Sequence, residues 1–278
     1  MKRYIIFAVA VVAILSLTLC VFAQLATSRP AEGRSIGRGQ GTGVVVARSE
    51  GGARGARSGR RRGRGEAAAL SETGFVQIFD GKTLDGWEGT DRWKVENGTI
   101  VAQTTAENPL KQNTFLIWRG GEPADFELKL EYKITGGNSG IQYRSAELEN
   151  SDFAMRGYQS DIDATRRFAG IIYEERGRGF LANRGQANYR GTSVSGPLAS
   201  LGTSDELREA IKADDWNEIH IIARGNTLMQ IYNGRMMSML IDDDTAGRAM
   251  KGLIGLQLHT GEPMKIEFRN IRLKQFKQ

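Results

Sequence analysis

Alternating apolar and polar residues recur from about residue 75 to the C-terminus. The longest run, 126–134, alternates Phe, Leu, Leu, Tyr and Ile with Glu and Lys. Because successive side chains of a strand point to opposite faces, this pattern predicts a strand with one buried and one solvated face. Shorter runs predict further strands at 75–79, 93–96, 99–102, 114–119, 139–145, 157–163, 170–175, 216–224, 227–232, 253–259 and 264–274.

Turn signals separate these runs. Asn97-Gly98 is the strongest short hairpin signal, and turns are also predicted at Gly225-Asn226 and Asn233-Gly234. One helix is predicted at 203–212, where Thr203-Ser204-Asp205-Glu206 forms a capping box. The stretch 176–201 lacks clear periodicity and is predicted to be a long loop, either a lid or a disordered excursion. Many short strands with a single short helix predict an all-β sandwich of antiparallel sheets.

The N-terminus has a different character. Met1-Lys2-Arg3 precedes an apolar run from Ile5 to Ala23, which predicts a signal peptide, residues 1–23, and export to the periplasm or the cell exterior. The run is 19 residues long, so an uncleaved membrane anchor is the alternative. A lipoprotein site at Cys20 ranks third, because the bulky Leu19 precedes the cysteine.

Residues 24–66 are rich in Gly, Arg and Ser and predict a flexible linker before a folded domain at 67–278. The linker carries a net charge of +7, the signal adds +2 and the whole chain has +6, so residues 67–278 carry −3. The basic character therefore belongs to the linker, and no nucleic-acid partner is predicted for the domain. The linker could instead contact the anionic cell envelope.

Two predicted strands each place three polar groups on one face. These groups are Asn138, Gln142 and Arg144 on the first strand, and Gln159, Asp161 and Asp163 on the second. Amide, guanidinium and carboxylate groups are the types that bind a hydroxyl-rich ligand. An ordinary solvated sheet face gives the same pattern, and strand parity alone does not separate the two interpretations.

An ordered set of motifs covers nearly the whole predicted domain, from about 75 to 275. The motifs are FDGKTLDGW at 79–87, WKVENG at 93–98, NSGIQYR at 138–144, GYQSDID at 157–163, WNE at 216–218, NG at 233–234, GLQLHTG at 255–261 and IEFRNI at 266–271. Together they resemble the 3-keto-disaccharide hydrolase domain family. The resemblance implies a concanavalin-A-like jelly roll with the ligand on its concave face. It also implies activity on 3-keto-glycosides that a partner sugar 3-dehydrogenase supplies.

A ketone at C3 acidifies the C2 hydrogen, so such a glycoside can lose its C1 aglycone by elimination and then add water. This route needs a general base, donors for the enolate oxygen and an acid for the leaving group. Asp161 is the favoured base and Glu175 the second candidate. His259 would protonate the leaving oxygen or bind a metal, and Arg144 would face the enolate or carbonyl oxygen.

Further polar residues would orient the sugar hydroxyl groups. They are Asn138, Gln142, Gln159, Asp163, Tyr173, Arg178 and Gln257. No certain cofactor is predicted. The single cysteine, Cys20, lies in the predicted signal, and with two histidines this excludes a zinc site rich in nitrogen and sulfur ligands. A carboxylate-bound Ca²⁺ or Mn²⁺ near Asp161 or Asp163 is left open.

Several alternatives are also consistent with these residues. A close carboxylate pair, Asp161 with Asp163 or Glu174 with Glu175, would allow conventional glycoside hydrolysis. The domain could instead be a non-catalytic carbohydrate-binding module, or the basic linker could serve surface attachment. The same acids could simply pair with nearby arginines: Asp161 and Asp163 with Arg166 and Arg167, Glu174 and Glu175 with Arg176 and Arg178.

Overall fold

The computed structural model describes residues 73–277. The predicted signal peptide at 1–23 and linker at 24–66 lie outside this range. Within it, no helix is both long enough and apolar enough to cross a lipid bilayer. The strands are β1 Val76–Gln77, β2 Trp87–Glu88, β3 Trp93–Glu96, β4 Thr99–Thr104, β5 Thr114–Trp118, β6 Phe126–Thr135, β7 Asn138–Glu147, β8 Met155–Asp163, β9 Ile172–Glu175, β10 Gly179–Ala182, β11 Gln186–Arg190, β12 Ser195–Ser200, β13 Asn217–Arg224, β14 Thr227–Tyr232, β15 Arg235–Asp242, β16 Leu253–Leu258 and β17 Met264–Gln275.

These strands form two sheets. The larger sheet has ten strands in the order β12-β11-β15-β14-β13-β6-β17-β4-β3, with β1 paired to β17. The smaller sheet has seven strands in the order β10-β9-β8-β7-β16-β5-β2. One α-helix, α1 at Ser204–Arg208, and a 3-10 turn at Thr90–Arg92 accompany the sheets in the described range. The predicted all-β sandwich with one short helix is confirmed.

The core lies between the two sheets and follows from strand alternation. On β6, Phe126, Leu128 and Leu130 are fully buried, while the intervening Glu and Lys side chains are partly exposed. Ile141 and Tyr143 of β7 face them from the smaller sheet in the same apolar cluster. Burial of each such side chain stabilises the fold by about 1.5–3 kcal/mol. The opposite face of the smaller sheet carries a second, small apolar cluster of Phe115, Ile117 and Met155, and polar side chains of β8 beside it.

The prediction of one long loop at 176–201 is wrong. The segment contains β10, β11 and β12, and β11 pairs in parallel with β15, a strand that the sequence analysis did not predict. Five of the six residues of β12 are exposed, because this strand is the edge of the larger sheet. An edge strand that buries neither face needs no apolar alternation, so its pattern carries no strand signal.

The predicted turns and the helix start are present. Asn97 and Gly98 have φ values of 50° and 77°, as a two-residue type I′ turn requires. Thr203 and Glu206 form the predicted capping box of α1. The helix ends at Arg208 rather than at 212, since Ala210 and Ile211 donate to carbonyls three residues back, at 3.2 and 3.0 Å. The side chain of Asn217 then bonds both the N–H and the carbonyl of Lys212 at 2.8 and 2.9 Å. The backbone of Lys212 is thereby satisfied outside a helix.

Candidate functional site

A cleft of about 520 Å³ lies on the polar face of the smaller sheet, opposite the core. Its walls come from β7, β8 and β9 and from the loops that follow β8 and β16. Seven of the residues predicted for the site line it: Asn138, Gln159, Asp161, Asp163, Tyr173, Glu175 and His259. The structure therefore brings together groups that are separated by up to 121 positions in the sequence.

Strand register explains why these side chains meet. In the ladder between β7 and β8, Asp161 lies opposite Gly140, and Gln159 lies opposite Gln142. On its other side Gln159 pairs with Tyr173 of β9. Because side chains alternate between faces, Ser160 points into the core, where its hydroxyl contacts Tyr232 at 2.9 Å. The predicted parity of β8 is thus present in the structure.

Asp161 is the most perturbed acid of the cleft. Its side chain is only 7% exposed, and its Oδ1 accepts a hydrogen bond from the Asn138 side-chain amide at 3.0 Å. Burial raises the pKa of Asp161 to about 7, and the nearby charge of Asp163 acts in the same direction. The hydrogen bonds from Asn138 and Gln159 to the carboxylate oppose that rise. Asp161 is therefore a carboxyl group that exchanges its proton close to neutral pH.

Gly140 gives Gln159 the space to reach Asp161. A Cβ atom at Gly140 would lie 2.5 Å from Cδ of Gln159, so only glycine lets that side chain lie across β7. Gln142 is fully buried and donates to Oε1 of Gln159 at 3.4 Å. Gln142 thus lies behind the cleft and acts through Gln159, instead of binding a ligand directly as the sequence analysis expected.

Asp163 has a different role from Asp161. Its carboxylate accepts bonds from the hydroxyl of Thr165 at 2.7 Å and from the backbone N–H groups of Thr165, Arg167 and Phe168 at 3.1, 2.7 and 3.1 Å. These contacts fold the loop after β8 and hold Arg167 and Phe168 at the cleft wall. The carboxylate bonds the backbone of Arg167, and no ion pair joins it to the Arg167 side chain within residues 73–277.

His259 enters the cleft from the end of β16. Its Nδ1 contacts the carbonyl of Thr260, which can only accept, so Nδ1 carries a proton and Nε2 is left as the second proton-exchange site. The N–H of Thr260 donates to Oδ1 of Asn113 at 2.9 Å, and the amide of Asn113 donates to Glu175 at 3.3 Å. Asn113, which the sequence analysis missed, therefore ties the histidine loop to the second candidate base.

Three aromatic rings form one wall of the cleft. Phe180 packs edge-on to Tyr173 with ring centroids 5.3 Å apart and stacks with Phe168 at 6.2 Å. Phe180 is 55% exposed, and the guanidinium of Arg167 lies 4.9 Å from the Phe168 ring. Burial raises the pKa of Tyr173, and the charges of Glu175 and Asp161 add to this rise. Exposed rings beside polar groups suit the apolar face of a sugar.

Arg144 lies outside the cleft because of a bulge in β7. Arg144 has a φ of 47°, and the register between β7 and β8 shifts between Tyr143 and Ala146. The bulge turns the Arg144 side chain out of the alternation, and its guanidinium donates to the carbonyls of Ala124 and Gly225 at 2.8 and 2.7 Å. Arg144 therefore links the two sheets, does not line the cleft, and is placed wrongly by strand parity.

Arg178 is also outside the cleft. It forms ion pairs with Glu174, Asp242 and Asp244, and its bonds to Asp242 measure 2.7 and 3.1 Å. Burial lowers the pKa of Arg178, but the hydrogen bonds to Asp242 and Glu174 outweigh it and raise the value. The alternative in which Glu174 pairs with Arg178 is the one present in the structure.

Gln257 is fully buried beside β7, where Ser139 donates to its backbone carbonyl at 2.7 Å. Neither polar atom of its side chain has a hydrogen-bond partner within the described residues, and it does not line the cleft. No group of three or more His, Cys, Asp or Glu side chains that could hold a metal ion occurs in residues 73–277. A Ca²⁺ or Mn²⁺ ion near Asp161 stays a prediction.

The match to a known protein family covers nearly the same residues as the described structure. The profile of the 3-keto-alpha-glucoside-1,2-lyase-like domain matches residues 74–274. The chain is similar to a 3-keto-disaccharide hydrolase of Bacteroides thetaiotaomicron, with 33% identity over 92 residues. That match covers 28% of this chain and 30% of the relative's length.

Similar solved structures are more distant. A Parabacteroides distasonis protein, provisionally described as a glycosyl hydrolase, has 18% identity and a TM-score of 0.49, and the match covers 73% of this chain and 99% of that one. The carbohydrate-binding module CBM66 of Bacillus subtilis has 15% identity and a TM-score of 0.43, with 68% and 96% covered. Because the family profile spans well over half of the sequence, this chain belongs to the 3-keto-alpha-glucoside-1,2-lyase-like domain family.

Proposed function

We propose that the protein cleaves 3-keto-glycosides in the cleft, with Asp161 as the general base. The observation that carries this proposal is the environment of Asp161, whose carboxyl is buried, held by Asn138 and has a pKa raised to about 7. A base is most effective when its pKa lies near the working pH. An ordinary surface aspartate would be fully ionised at that pH but a much weaker base.

The reaction follows from the acidity of the C2 hydrogen. Asp161 takes the C2 proton, and the electron pair forms an enolate with the C3 ketone. The enolate then expels the C1 aglycone, whose oxygen takes up a proton. Water adds across the resulting double bond to give the free 3-keto-sugar. One base suffices for this route, so it does not require the paired carboxylates of conventional glycosidases.

Other cleft residues supply the remaining roles. Arg167 carries the permanent positive charge among the described lining residues and would stabilise the enolate oxygen, the role that the sequence analysis gave to Arg144. His259, with Nδ1 fixed on the Thr260 carbonyl, would deliver a proton from Nε2 to the leaving oxygen. Phe180 and Tyr173 would stack on the sugar ring.

The family match supports this substrate class, since the matching profile is named for 3-keto-glucoside cleavage and the curated relative for 3-keto-disaccharides. The substrate must be supplied by an enzyme that oxidises the C3 hydroxyl, so a sugar 3-dehydrogenase is the proposed functional partner. The N-terminal pattern supports export, and the basic linker would then contact the envelope.

The test compares a 3-keto-glucoside carrying a chromogenic aglycone with the same glucoside unoxidised. Release from the keto form alone, lost in Asp161→Asn, is the expected result. Equal release from both substrates would favour conventional hydrolysis by Asp161 with a second carboxylate of the cleft. Sugar binding without release from either substrate would replace the proposal with a carbohydrate-binding module, which the exposed aromatic wall also suits.

A further inference from the structure

A second groove continues from the cleft. Its volume is about 750 Å³, and Glu175 lines both cavities. We propose that this groove, which we term the basic groove, binds an acidic group on the leaving part of the substrate. The inference rests on the proposed function, because it assigns the aglycone of that reaction to the chemical class of carboxylated or sulfated glycosides.

Basic side chains outnumber acidic ones along the basic groove. Its lining includes five arginines and one lysine against four glutamates. Most of these cations are already neutralised by carboxylates, several of which belong to residues outside the lining. The ion pairs are Arg144 with Asp125, Arg178 with Asp242, Arg248 with Asp243, and Lys251 with Glu122. The glutamates are occupied too, since Glu147 pairs with Arg119 and Glu174 with Arg178.

Arg156 and Arg176 are the two cations that remain. Both side chains are exposed, and neither forms an ion pair or a side-chain hydrogen bond with any described residue. Arg156 directly precedes Gly157 on β8, and Arg176 directly follows Glu175, the partner of Gly157, in the turn after β9. The two arginines therefore flank one β8–β9 residue pair. Two like charges that flank the same residue pair repel each other. A bound anion between them would remove this repulsion.

Guanidinium groups are suited to carboxylate and sulfate ligands. Their planar array of N–H donors forms paired bonds with two oxygens of one anion, which a solvated lysine cannot match. The position of the basic groove relative to the cleft indicates which part of the substrate carries the anionic group. The cleft that contains Asp161 and His259 would hold the keto-sugar, and the groove beyond Glu175 extends away from it. The acidic group therefore belongs to the aglycone.

The test uses two chromogenic 3-keto-glucosides whose nitrophenyl ring carries either a carboxylate or a carboxamide. The full chain is expected to cleave the carboxylate form with a kcat/KM about tenfold higher than the carboxamide form, equivalent to about 1.4 kcal/mol. The double variant Arg156→Gln/Arg176→Gln should lose this preference while it retains its activity on the carboxamide. Added salt should weaken the preference of the unaltered protein, because exposed charges are screened.

Arg235→Gln is the matched control, since it removes one exposed arginine at the start of β15 on the other sheet and should keep the preference. Calorimetric titration with a glucuronic-acid-containing disaccharide and its neutral counterpart separates this inference from the proposed function. One outcome would keep the groove assignment and refute the proposed reaction: neither keto-substrate is cleaved, yet the acidic disaccharide binds more tightly than the neutral one. This difference in affinity must then disappear in the double variant. Equal loss on both substrates, or no preference for the acid in turnover and binding, overturns the inference.

Discussion

The raised pKa of Asp161 predicts that the catalytic base weakens the fold. The carboxyl has an ordinary value of 3.8 and a folded value of about 7. Between these values the unfolded chain releases the proton while the folded protein keeps it, so stability falls as the pH rises. The three-unit difference corresponds to about 4 kcal/mol in total, at about 1.4 kcal/mol per unit.

Asp161→Asn removes this titration and keeps the shape of the side chain. At pH 5 an unfolded aspartate is already largely ionised, so about two of the three units lie between pH 5 and pH 8, or roughly 2.5 kcal/mol. The free energy of unfolding of Asp161→Asn minus that of the unaltered protein should therefore increase by roughly 2.5 kcal/mol from pH 5 to pH 8. Urea denaturation followed by tryptophan fluorescence at the two pH values measures it. The same difference at both values would refute the assignment of a buried, proton-retaining carboxyl.

Three further substitutions test the supporting structure. Asp163→Asn should destabilise the protein by about 2 kcal/mol in thermal denaturation at both pH 5 and pH 8. One amide oxygen cannot replace a carboxylate that accepts four hydrogen bonds. Unchanged stability would contradict the role of Asp163 in folding the loop after β8. Phe180→Ala should raise KM about tenfold with little change in melting temperature, since the ring is 55% exposed; an unchanged KM would remove it from the sugar site. Gly140→Ala should lower kcat/KM with the circular dichroism spectrum unchanged, because its Cβ displaces Gln159 from Asp161; full activity would contradict that positioning.

Much of the sandwich was predictable because its signals are local. The alternation along β6 and the Asn97-Gly98 turn depend on neighbouring residues alone, and the observed boundaries differ from the predicted ones by few positions. The strands β10, β11 and β12 were not predictable in this way. Their pairing depends on β9 and on the parallel contact with β15, so the stabilising partners are distant in sequence.

The site was predictable to the extent that strand parity holds. Parity places Gln159 and Asp161 together on β8, and the structure keeps them there. Strand parity fails at Arg144, because the β-bulge there has a positive φ that the sequence pattern does not predict. Phe180 reaches the cleft from a segment interpreted as a loop, so only the folded chain shows that it packs on Tyr173.

The central claim is that Asp161 removes the proton from C2. The most direct measurement compares a chromogenic 3-keto-glucoside carrying hydrogen or deuterium at C2 across a range of pH. A slower release from the deuterated substrate is predicted, with kcat/KM rising as the pH passes about 7, because the base must be ionised. Asp161→Asn should abolish the release. Equal rates for the two isotopic substrates, or a fully active Asp161→Asn variant, would contradict the account.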